Sequence, residues 1–398
     1  MKIFNSLGSN YNFRSLLVGF ANIFKPDKGL KLKRLLEKKY SGKVTFYYKG
    51  REAIEVALRS IGVDSGFVAI NGLTCFVVEK AVLNSGQGCV YLDIGNDLNF
   101  SIESLRKSVS SNNKIRAVII QNTLGVPINA REVKKICADN KLVLIEDLAH
   151  SVGSVYADGS IAGTVGDFVA LSFSQDKIID AVSGGALITR NKKYQNRVNN
   201  IETKKIPITW LIRDILYPFF TYTIRKLYFL NIGKIIHRLL KQLNLLSTPV
   251  DFSTTGLHHL PRWYLSMAYD YVVNLDPDIT HRKALAKIYS LNLDPKVLAK
   301  DINTKLSLST NVRFPIFVSN RKKLIRHLAQ NGIFISDTWY DYPVAPLKYN
   351  KLSGYKIGTC PNAEKLSETI LNLPTHRNMS ENDAIRISKI INKWINIQ

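Results

Sequence analysis

The sequence contains few cysteines, and none of them stands near another. Only four occur among its 398 residues: Cys75, Cys89, Cys137 and Cys360. Without a CxxC pair or a histidine cluster nearby, they lack the spacing of a structural zinc site. Four thiols in a chain of this length also argue against a disulfide framework. We expect no metal site, and we expect Cys75 and Cys89 to be ordinary buried thiols.

Long apolar runs and a secretion signal are also missing. Lys2 is not followed by a sustained apolar stretch or by a small-residue cleavage site, as a signal peptide would require. In the most apolar part of the chain the longest uncharged run covers residues 215–224, far short of the roughly 20 residues of a membrane-spanning helix. We therefore expect a cytoplasmic protein.

Acidic residues are outnumbered by basic ones. Lysines and arginines number 55 against 31 aspartates and glutamates, which gives a formal net charge of +24. Such an excess favours an anionic partner: nucleic acid, an acidic membrane surface or a phosphorylated substrate. The sequence shows no nucleic-acid recognition motif and no interleaving of aromatic and basic residues for base stacking. We therefore expect no specific nucleic-acid binding.

Residues 41–190 alternate between short apolar runs and helical patterns such as REAIEVALRSIG. Seven apolar runs are predicted strands: residues 44–48, 67–70, 88–94, 115–121, 142–146, 167–173 and 184–190. Apolar strands separated by helices are typical of a parallel sheet covered on both faces. The sequence therefore predicts an α/β large domain with a mostly parallel seven-stranded sheet, whose ligands bind beyond the carboxyl ends of the strands.

Changes in pattern divide the chain into three regions. Residues 1–40 form an N-terminal segment, residues 41–250 the large domain, and residues 251–398 a smaller C-terminal α+β domain. In the last region a strand, a helix and a second strand are followed by two helices. The final helix begins after Ser380, which forms a capping-box pattern with Asp383.

Residues 204–248 interrupt the large domain with an apolar and basic insert whose only acid is Asp214. From Ile232 onward, its apolar residues form a helical stripe opposite lysines and arginines. Two interpretations are open. The insert could pack as an amphipathic helix on its own protein or on a subunit partner. Alternatively, it could lie in the plane of an anionic membrane.

Polar residues stand at the ends of several predicted strands. After the first strand, Gly50 opens a helix at Arg51, and such a turn presents backbone N–H groups to an anion. Asp147 and His150 follow a later strand, where Asp147 could also be a simple helix cap. Phe76 begins the helix after the second strand and, taken alone, would be assigned to the core.

A lysine stands where two apolar runs meet. Ser172 ends one run, Lys177 lies in the polar break, and a Gly-Gly pair opens the next run. Unless such a lysine is solvated, as turn lysines usually are, it must be paired or lose its charge to chemistry. Together with the residues at the other strand ends, it supplies what pyridoxal phosphate needs. These needs are an amine for the aldehyde, a carboxylate for the pyridine nitrogen and donors for the phosphate.

The segment EDLAHSVGSVYADGSIAGTVGDFVALSFSQDKIIDAVSGGALITRN resembles the core of the DegT-type (StrS-like) sugar aminotransferases, which are fold-type-I pyridoxal phosphate enzymes. The family pattern is ED-x-A-H/Q, G-x-x-G-D, S-F-x-x-x-K and G-G, and the segment contains these motifs in order. The resemblance extends from YYKGREAIEVAL through QNTLGVP to CPNAEKLSETILNLPTHRNMS, which is most of the chain. It implies an aspartate-aminotransferase-like large domain and a homodimer.

The resemblance also assigns roles by position. Lys177 would be the Schiff-base lysine, and Asp147 would pair with the pyridinium nitrogen. His150 would lie beside the ring near the phenolic oxygen of the cofactor, and Phe76 would stack on the ring face. The phosphate would be bound at the helix start and at the neighbouring strand end, by Gly50, Arg51, Glu52 and Ser172.

The sequence departs from the family in two places. Family members commonly have a G-x-N-x-R stretch whose Asn reaches the phosphate of the partner subunit. The comparable TTGLHHLPRWYLS has no Asn, although His258 or His259 could substitute. The insert at 204–248 is also longer than the usual connection, near the place where a nucleotide-sugar would dock.

The function implied is transfer of an amino group from an amino acid, L-glutamate by the resemblance, to a nucleotide-linked keto-sugar. Two alternatives stay open. Some relatives dehydrate sugars, but they carry histidine in place of the lysine that is present here as Lys177. The other alternative is a non-catalytic protein on an aminotransferase scaffold, bound to a membrane surface through residues 204–248.

Overall fold

The computed structural model describes residues 2–62, 65–228, 231–250, 256–335 and 339–397. The strands are β1 Ile3–Phe4, β2 Lys43–Tyr47, β3 Phe67–Asn71, β4 Thr74–Cys75, β5 Gly88–Leu92, β6 Ile115–Ile120, β7 Val143–Asp147, β8 Phe168–Ser172, β9 Gly185–Thr189, β10 Phe314–Phe317, β11 Ile333–Phe334, β12 Val344–Ala345 and β13 Ile370–Leu373. The helices are α1 Phe13–Phe24, α2 Gly29–Tyr40, α3 Gly50–Ile61, α4 Phe76–Asn84, α5 Ile102–Ser111, α6 Ala130–Asp139, α7 Lys192–Asn199, α8 Ile208–Leu227, α9 Ile232–Gln242, α10 Arg262–Val272, α11 Leu275–Asn292, α12 Lys300–Asn303, α13 Arg321–Gln330, α14 Pro361–Thr369 and α15 Glu381–Ile395.

A seven-stranded sheet with the order β2-β9-β8-β7-β6-β3-β5 forms the centre of the fold. The strands from β8 to β5 are parallel to one another, whereas β9 runs antiparallel to both of its neighbours, β2 and β8. Every one of the seven predicted strands lies in this sheet. The predicted fold class, a mostly parallel α/β sheet, is therefore confirmed.

Both faces of the sheet are covered. In β3, Val68 and Ile70 pack in a cluster with α3, α4 and α7, whereas Ala69 between them belongs to a larger cluster on the opposite face. The opposite face is covered by α2, α5 and α6, which contact β2, β5 and β6. Because side chains alternate along a strand, covering both faces requires continuous apolar runs, as the sequence has.

A second core lies in the C-terminal part of the chain. The antiparallel pair of β10 and β13 packs with α11, α13 and α15, which bury Leu285, Leu324 and Ile387. The predicted capping box at the start of α15 is present, because Ser380 and Asp383 exchange hydrogen bonds. β13, a strand of only four residues that directly follows α14, is not among the predicted elements.

The N-terminal residues join both parts of the molecule. β1 pairs in parallel with β11, and α1 and α2 pack against α10, while α2 also contacts β2 and β9 of the central sheet. The indole N–H of Trp263 donates to the carbonyl of Gly19 at 3.0 Å, and Lys28 forms an ion pair with Asp270 at 2.6 Å.

The insert forms α8 and α9. Asp214 in α8 is fully buried and accepts hydrogen bonds from the hydroxyls of Tyr48 and Tyr264, each at 2.9 Å. The buried side of α8 is thus packed on its own protein, as one of the two interpretations expected. None of the described helices is both long and apolar enough to cross a membrane.

Candidate active site

Several strand ends meet at one edge of the sheet. Ser172 at the end of β8 pairs with Gly185 at the start of β9, and Gly185 also pairs with Tyr47 at the end of β2. A cavity of about 490 Å³ lies at this edge. Six of the eight predicted site residues line the cavity: Gly50, Arg51, Asp147, His150, Ser172 and Lys177.

The start of α3 lies very close to the end of β8. A Cβ atom at Gly50 would be 2.9 Å from the Cβ of Ser172, and one at Gly185 would be 2.6 Å from the Cα of Gly50. Only glycine allows these backbones to approach so closely. As a result the N-terminus of a 12-residue helix and the Ser172 hydroxyl face the same cavity, which suits a phosphate.

Two predicted residues are placed differently. The carboxylate of Glu52 accepts the backbone N–H of His258 at 3.0 Å, and its own N–H donates to the carbonyl of Lys49 at 3.1 Å. Phe76 stacks on Tyr349 at 5.5 Å between ring centroids, and it does not line the cavity. The neighbouring Cys75 lines it instead, because the chain turns from β4 into α4 at this point.

The two histidines proposed to replace the missing Asn also have other partners within this chain. His258 is buried against Glu52, with 3.4 Å between Nδ1 and the carboxylate. The Nε2 of His259 lies 2.8 Å from the hydroxyl of Thr203. A role in a partner subunit's site stays a prediction for both.

The amine of Lys177 forms a hydrogen bond with His150, with 2.8 Å between Nζ and Nε2. The direction of this bond follows from the other nitrogen of the ring. The backbone N–H of Leu124 points to Nδ1 at 3.3 Å, and the hydroxyl of Tyr340 lies 3.1 Å from it. Nδ1 is thus an acceptor, so the proton of a neutral imidazole is on Nε2 and is donated to Lys177.

Electrostatics favour the same arrangement. Burial, together with the charges of Lys177 and Arg313, holds the pKa of His150 well below its usual value. Burial is also the main cause that lowers the pKa of Lys177. Both groups are therefore biased toward their neutral forms. A neutral lysine amine has a free lone pair and is a nucleophile.

Asp147 lies at the end of β7, only 5% exposed. Its Oδ1 accepts the backbone N–H of Ala149 at 2.9 Å, and among the described residues no donor reaches Oδ2. Burial raises the pKa of this carboxyl to about 6, although Lys177 opposes the rise. A cation entering the cavity would therefore find a carboxylate with an unused oxygen.

The loop that carries Lys177 is held by a buried carboxylate. Asp180 accepts the backbone N–H of Asp176 at 2.9 Å and that of Val182 at 3.2 Å. It also accepts the side-chain amide of Asn10 at 2.9 Å and the hydroxyl of Tyr11. Both Asp176 and Val182 have positive φ, at 64° and 69°, so these bonds stabilise an unfavourable backbone.

We expect Asp180→Ala to destabilise the protein and loosen this loop. The substitution leaves the Tyr11 hydroxyl and two backbone N–H groups buried without their carboxylate acceptor, whereas the Asn10 amide keeps the Lys177 carbonyl at 3.2 Å. Each unsatisfied donor costs about 1–3 kcal/mol. A loss of at least about 3 kcal/mol in the free energy of unfolding should follow in urea titrations. The control is Asp158→Ala, an exposed carboxylate whose hydrogen bonds within the described residues go to Ser160, and a similar loss there would contradict the role of Asp180.

Trp339 and Tyr340 also line the cavity, although the sequence analysis did not identify them. The Trp339 indole stacks on His150 with 4.8 Å between centroids and 6° between planes, and the Lys177 amine lies 4.5 Å from the indole centroid. The aromatic cluster in DTWYDYP was a weak signal for these residues. Their long separation in sequence from Lys177 concealed the contact.

Lys49 is a further buried cation at the cavity. Its Nζ donates to the hydroxyl of Ser183 at 2.9 Å, and its exposed fraction is 2%. Burial lowers its pKa from 10.5 to about 8, while Asp214 opposes the change. With Arg51, it makes this end of the cavity suitable for an anion.

Comparison with known proteins agrees with this geometry. The chain is 24% identical over 352 residues to GDP-perosamine synthase of Escherichia coli O157:H7, which covers 87% of this chain and 84% of that protein. Among solved structures it is similar to Helicobacter pylori PseC, an aminotransferase involved in the biosynthesis of pseudoaminic acid. The TM-score is 0.73 at 16% identity, over 100% of both chains. A second is an aminotransferase from Brucella abortus, with a TM-score of 0.71 at 18% identity over 96% and 95% of the two chains.

The family model of the DegT/DnrJ/EryC1/StrS aminotransferases matches residues 32–206 and 266–392. The unmatched residues between these ranges contain α8 and α9, so most of the insert lies outside the match, as do residues 1–31 and 393–398. The match covers most of the sequence and includes the residues from Gly50 to Lys177 that line the cavity. The chain therefore belongs to the DegT/DnrJ/EryC1/StrS aminotransferase family, and it is a pyridoxal phosphate-dependent aminotransferase, as the sequence predicted.

Proposed function

We propose that this enzyme moves an amino group from an amino acid, L-glutamate, to a keto-sugar carried on a nucleotide. The observation that carries the proposal is the Lys177 amine, biased to its neutral form and bonded to His150 in a cavity that also contains Asp147. The cations Lys49 and Arg51 in the same cavity suit a phosphorylated substrate. The similar GDP-perosamine synthase supports a nucleotide-linked one.

The residues of the cavity fit pyridoxal phosphate. We assign its phosphate to the Ser172 hydroxyl and to the start of α3 at Gly50 and Arg51, where a Cβ atom would obstruct the close approach of the two backbones. We assign its pyridine nitrogen to the unused oxygen of Asp147, and its aldehyde to Lys177. When bound, the cofactor supplies an aldehyde that condenses with amines and a ring that withdraws electrons.

Lys177 would transfer the protons, and His150 would orient it. With its amine free of the aldehyde, Lys177 would be the base that removes a proton from the amino-acid Cα and the acid that gives one to the former aldehyde carbon of the cofactor. The Nε2–H of His150 orients the Nζ lone pair. Asp147 provides the negative charge that keeps the ring nitrogen protonated.

We also propose the amino donor, the oligomeric state, the location and a membrane contact of this enzyme. The family resemblance supports L-glutamate and a homodimer in the cytoplasm. The basic composition of residues 204–248 supports contact of this insert with a membrane surface.

A substrate panel tests the proposed reaction. The purified enzyme, loaded with pyridoxal phosphate, is incubated with L-glutamate and with each of several nucleotide-linked keto-sugars, and mass spectrometry detects the amino-sugar. We expect amination of at least one of these sugars and formation of 2-oxoglutarate in equal amount. Amination of free keto acids alone would contradict the proposed substrate class.

We expect Lys49 to make cofactor binding depend on pH. Because its pKa in the folded protein is about 8, Lys49 is charged below that pH and becomes neutral above it. Raising the pH from about 7 to about 9.5 should therefore weaken the binding of pyridoxamine 5′-phosphate by roughly tenfold, the size of one charge-assisted contact. Calorimetry on the apoprotein measures this change.

The matched control for this pH effect is Lys49→Met, which keeps the length of the side chain but carries no charge. At each pH, the affinity of the wild type for pyridoxamine 5′-phosphate is divided by that of Lys49→Met. This ratio cancels the effect of every other group that titrates. The ratio should fall toward one above pH 8, and a ratio that does not change with pH would contradict the role of Lys49.

A further inference from the structure

Three helices of this protein expose apolar stripes to solvent. On α1 and α9 large apolar side chains recur three or four residues apart on one face, beside the face that packs inward, and on α8 the intervals are four and seven residues. The exposed residues are Phe13, Leu17, Phe20 and Phe24 on α1, Ile208, Ile212 and Phe219 on α8, and Ile232, Ile235 and Leu239 on α9, with Leu243 just beyond its end. We call these residues the three-helix surface. Phe24 is the most exposed large apolar residue described, at 87%.

The three helices are packed side by side, with α8 in contact with both others. The ring of Phe13 in α1 lies 6.4 Å from that of Tyr222 in α8. At the other contact, a Cβ atom on Gly233 of α9 would be 2.2 Å from the carbonyl oxygen of Ile224 in α8. The absence of a side chain at Gly233 thus lets α9 pack directly on α8. The apolar stripes therefore lie on three helices that are packed together.

Charge on these helices has one sign. Within the three helices, all of whose residues are described, the only acid is Asp214, which is fully buried. The exposed charged residues are all cations: Arg14, Lys226, Lys234, Arg238 and Lys241. An apolar surface surrounded by lysine and arginine is complementary to a layer that is apolar inside and anionic outside.

A second cavity, of about 420 Å³, borders this surface at the N-terminal end of α1. Tyr222 lines it together with three cations, Lys2, Arg225 and Lys226. Asp383, the acid among the described residues that line it, is engaged in the helix cap of α15. The cavity is therefore suited to an anionic headgroup next to the apolar stripes.

We propose that the three-helix surface docks on an anionic lipid bilayer, with α1, α8 and α9 lying in the plane of the interface. Two copies of the same surface, related by a two-fold axis, would bring like charges together, which argues against a self-contact here. The proposal deepens the membrane contact proposed for residues 204–248 by adding α1, which lies outside the insert. It does not depend on the reaction that the enzyme catalyses.

Vesicle flotation of the full-length holoenzyme tests the proposal. We expect the protein to float with vesicles of phosphatidylcholine and phosphatidylglycerol at low salt. Binding to phosphatidylcholine alone, or at high salt, should be at least about tenfold weaker, because each cation near the surface contributes to the attraction. Equal binding to neutral and anionic vesicles, or none to either, would overturn it.

Paired substitutions locate the contact. Phe20→Ser with Phe24→Ser removes apolar area from α1, Ile235→Ser with Leu239→Ser removes it from α9, and each pair should weaken flotation about tenfold. Reversing charge with Arg238→Glu and Lys241→Glu should do the same. The matched control, Leu291→Ser with Ile397→Ser, changes two equally exposed apolar residues elsewhere and should leave flotation unchanged.

Light scattering and the transaminase assay are run on the same variants. We expect an unchanged molar mass and unchanged activity in solution, since none of these residues lines the active-site cavity. If the apolar variants instead dissociate an oligomer while still floating with vesicles, the surface is a subunit interface and the proposal is wrong. Absence of transaminase activity in the wild type would contradict the proposed function and would not affect the membrane proposal.

Discussion

We expect Lys177→Ala to lose transaminase activity by at least roughly a thousandfold, a range typical for removal of a proton-transferring group. It should also lose the visible absorption band that arises when a lysine amine condenses with the aldehyde of the cofactor. The reason is that the imidazole of His150 orients the Lys177 amine, with 2.8 Å between Nε2 and Nζ. Absorption spectra of the reconstituted protein, followed by the addition of L-glutamate, measure both effects.

The same cavity provides the control for this prediction. Lys49 also lines it, and its pKa is lowered to about 8, so it is the other candidate amine. Lys49→Ala should keep the absorption band, whereas Lys177→Arg should lose it while retaining a positive charge. A band that survives in Lys177→Ala and disappears in Lys49→Ala would assign the reactive amine to Lys49.

Asp147→Asn should lower activity by roughly a hundredfold to a thousandfold, as is usual when one electrostatic contact to the reacting group is lost. The amide has nearly the same shape but cannot hold a proton on the pyridine nitrogen. Binding of the cofactor should be affected far less than turnover, because Ser172 and the start of α3 still bind the phosphate. Steady-state kinetics with saturating cofactor separate the two effects.

In the apoprotein, Asp147→Asn should raise the free energy of unfolding at neutral pH, although it lowers the activity of the holoenzyme. Burial raises the pKa of Asp147 to about 6, above the roughly 3.9 of an unfolded aspartate. Its contribution to stability is thus fully present below pH 4 and is lost as the pH rises through 6. Asp147→Asn removes this loss and should gain up to roughly 3 kcal/mol at pH 7, because the two pKa values differ by about two pH units.

The gain can be checked with urea titrations of the two apoproteins at pH 4 and pH 7. Their unfolding free energies should be close at pH 4 and should diverge at pH 7. An Asn variant that is less stable than the wild type at pH 7 would show that Asp147 is needed for the fold. The loss of activity would then not be evidence for its role at the cofactor.

The sheet could be predicted because each strand carries its own signal. β7 and β8 are continuous apolar runs with helices or glycines between them, and both faces are buried. The missed strands, β1, β4, β12 and β13, have two to four residues and pair with distant partners, such as Ile3 with Ile333. Nothing in so short a segment distinguishes a strand from a loop, because the pairing is decided by tertiary contacts.

The active site also contains some residues that the sequence predicted and others that it did not. Gly50 and Asp147 come just after predicted strands and Ser172 lies at the end of one, so their convergence follows from the topology of a parallel sheet. Trp339 reaches the cavity from the C-terminal part of the chain, where the aromatic cluster DTWYDYP was only a weak signal. Cys75 lines the cavity and Phe76 does not, because neighbouring side chains point in different directions where a strand turns into a helix, and the stacking of Phe76 on the cofactor ring stays a prediction.

The bond between Asn10 and Asp180 has a consequence for the synthesis of the chain. These residues are 170 positions apart, so at about 5–20 residues per second Asn10 waits roughly 10 to 30 seconds for its partner to be translated. During that time the carboxylate that accepts from the Asn10 amide and the Tyr11 hydroxyl in the folded protein does not yet exist. The reactive loop is therefore completed late, by residues that left the ribosome first.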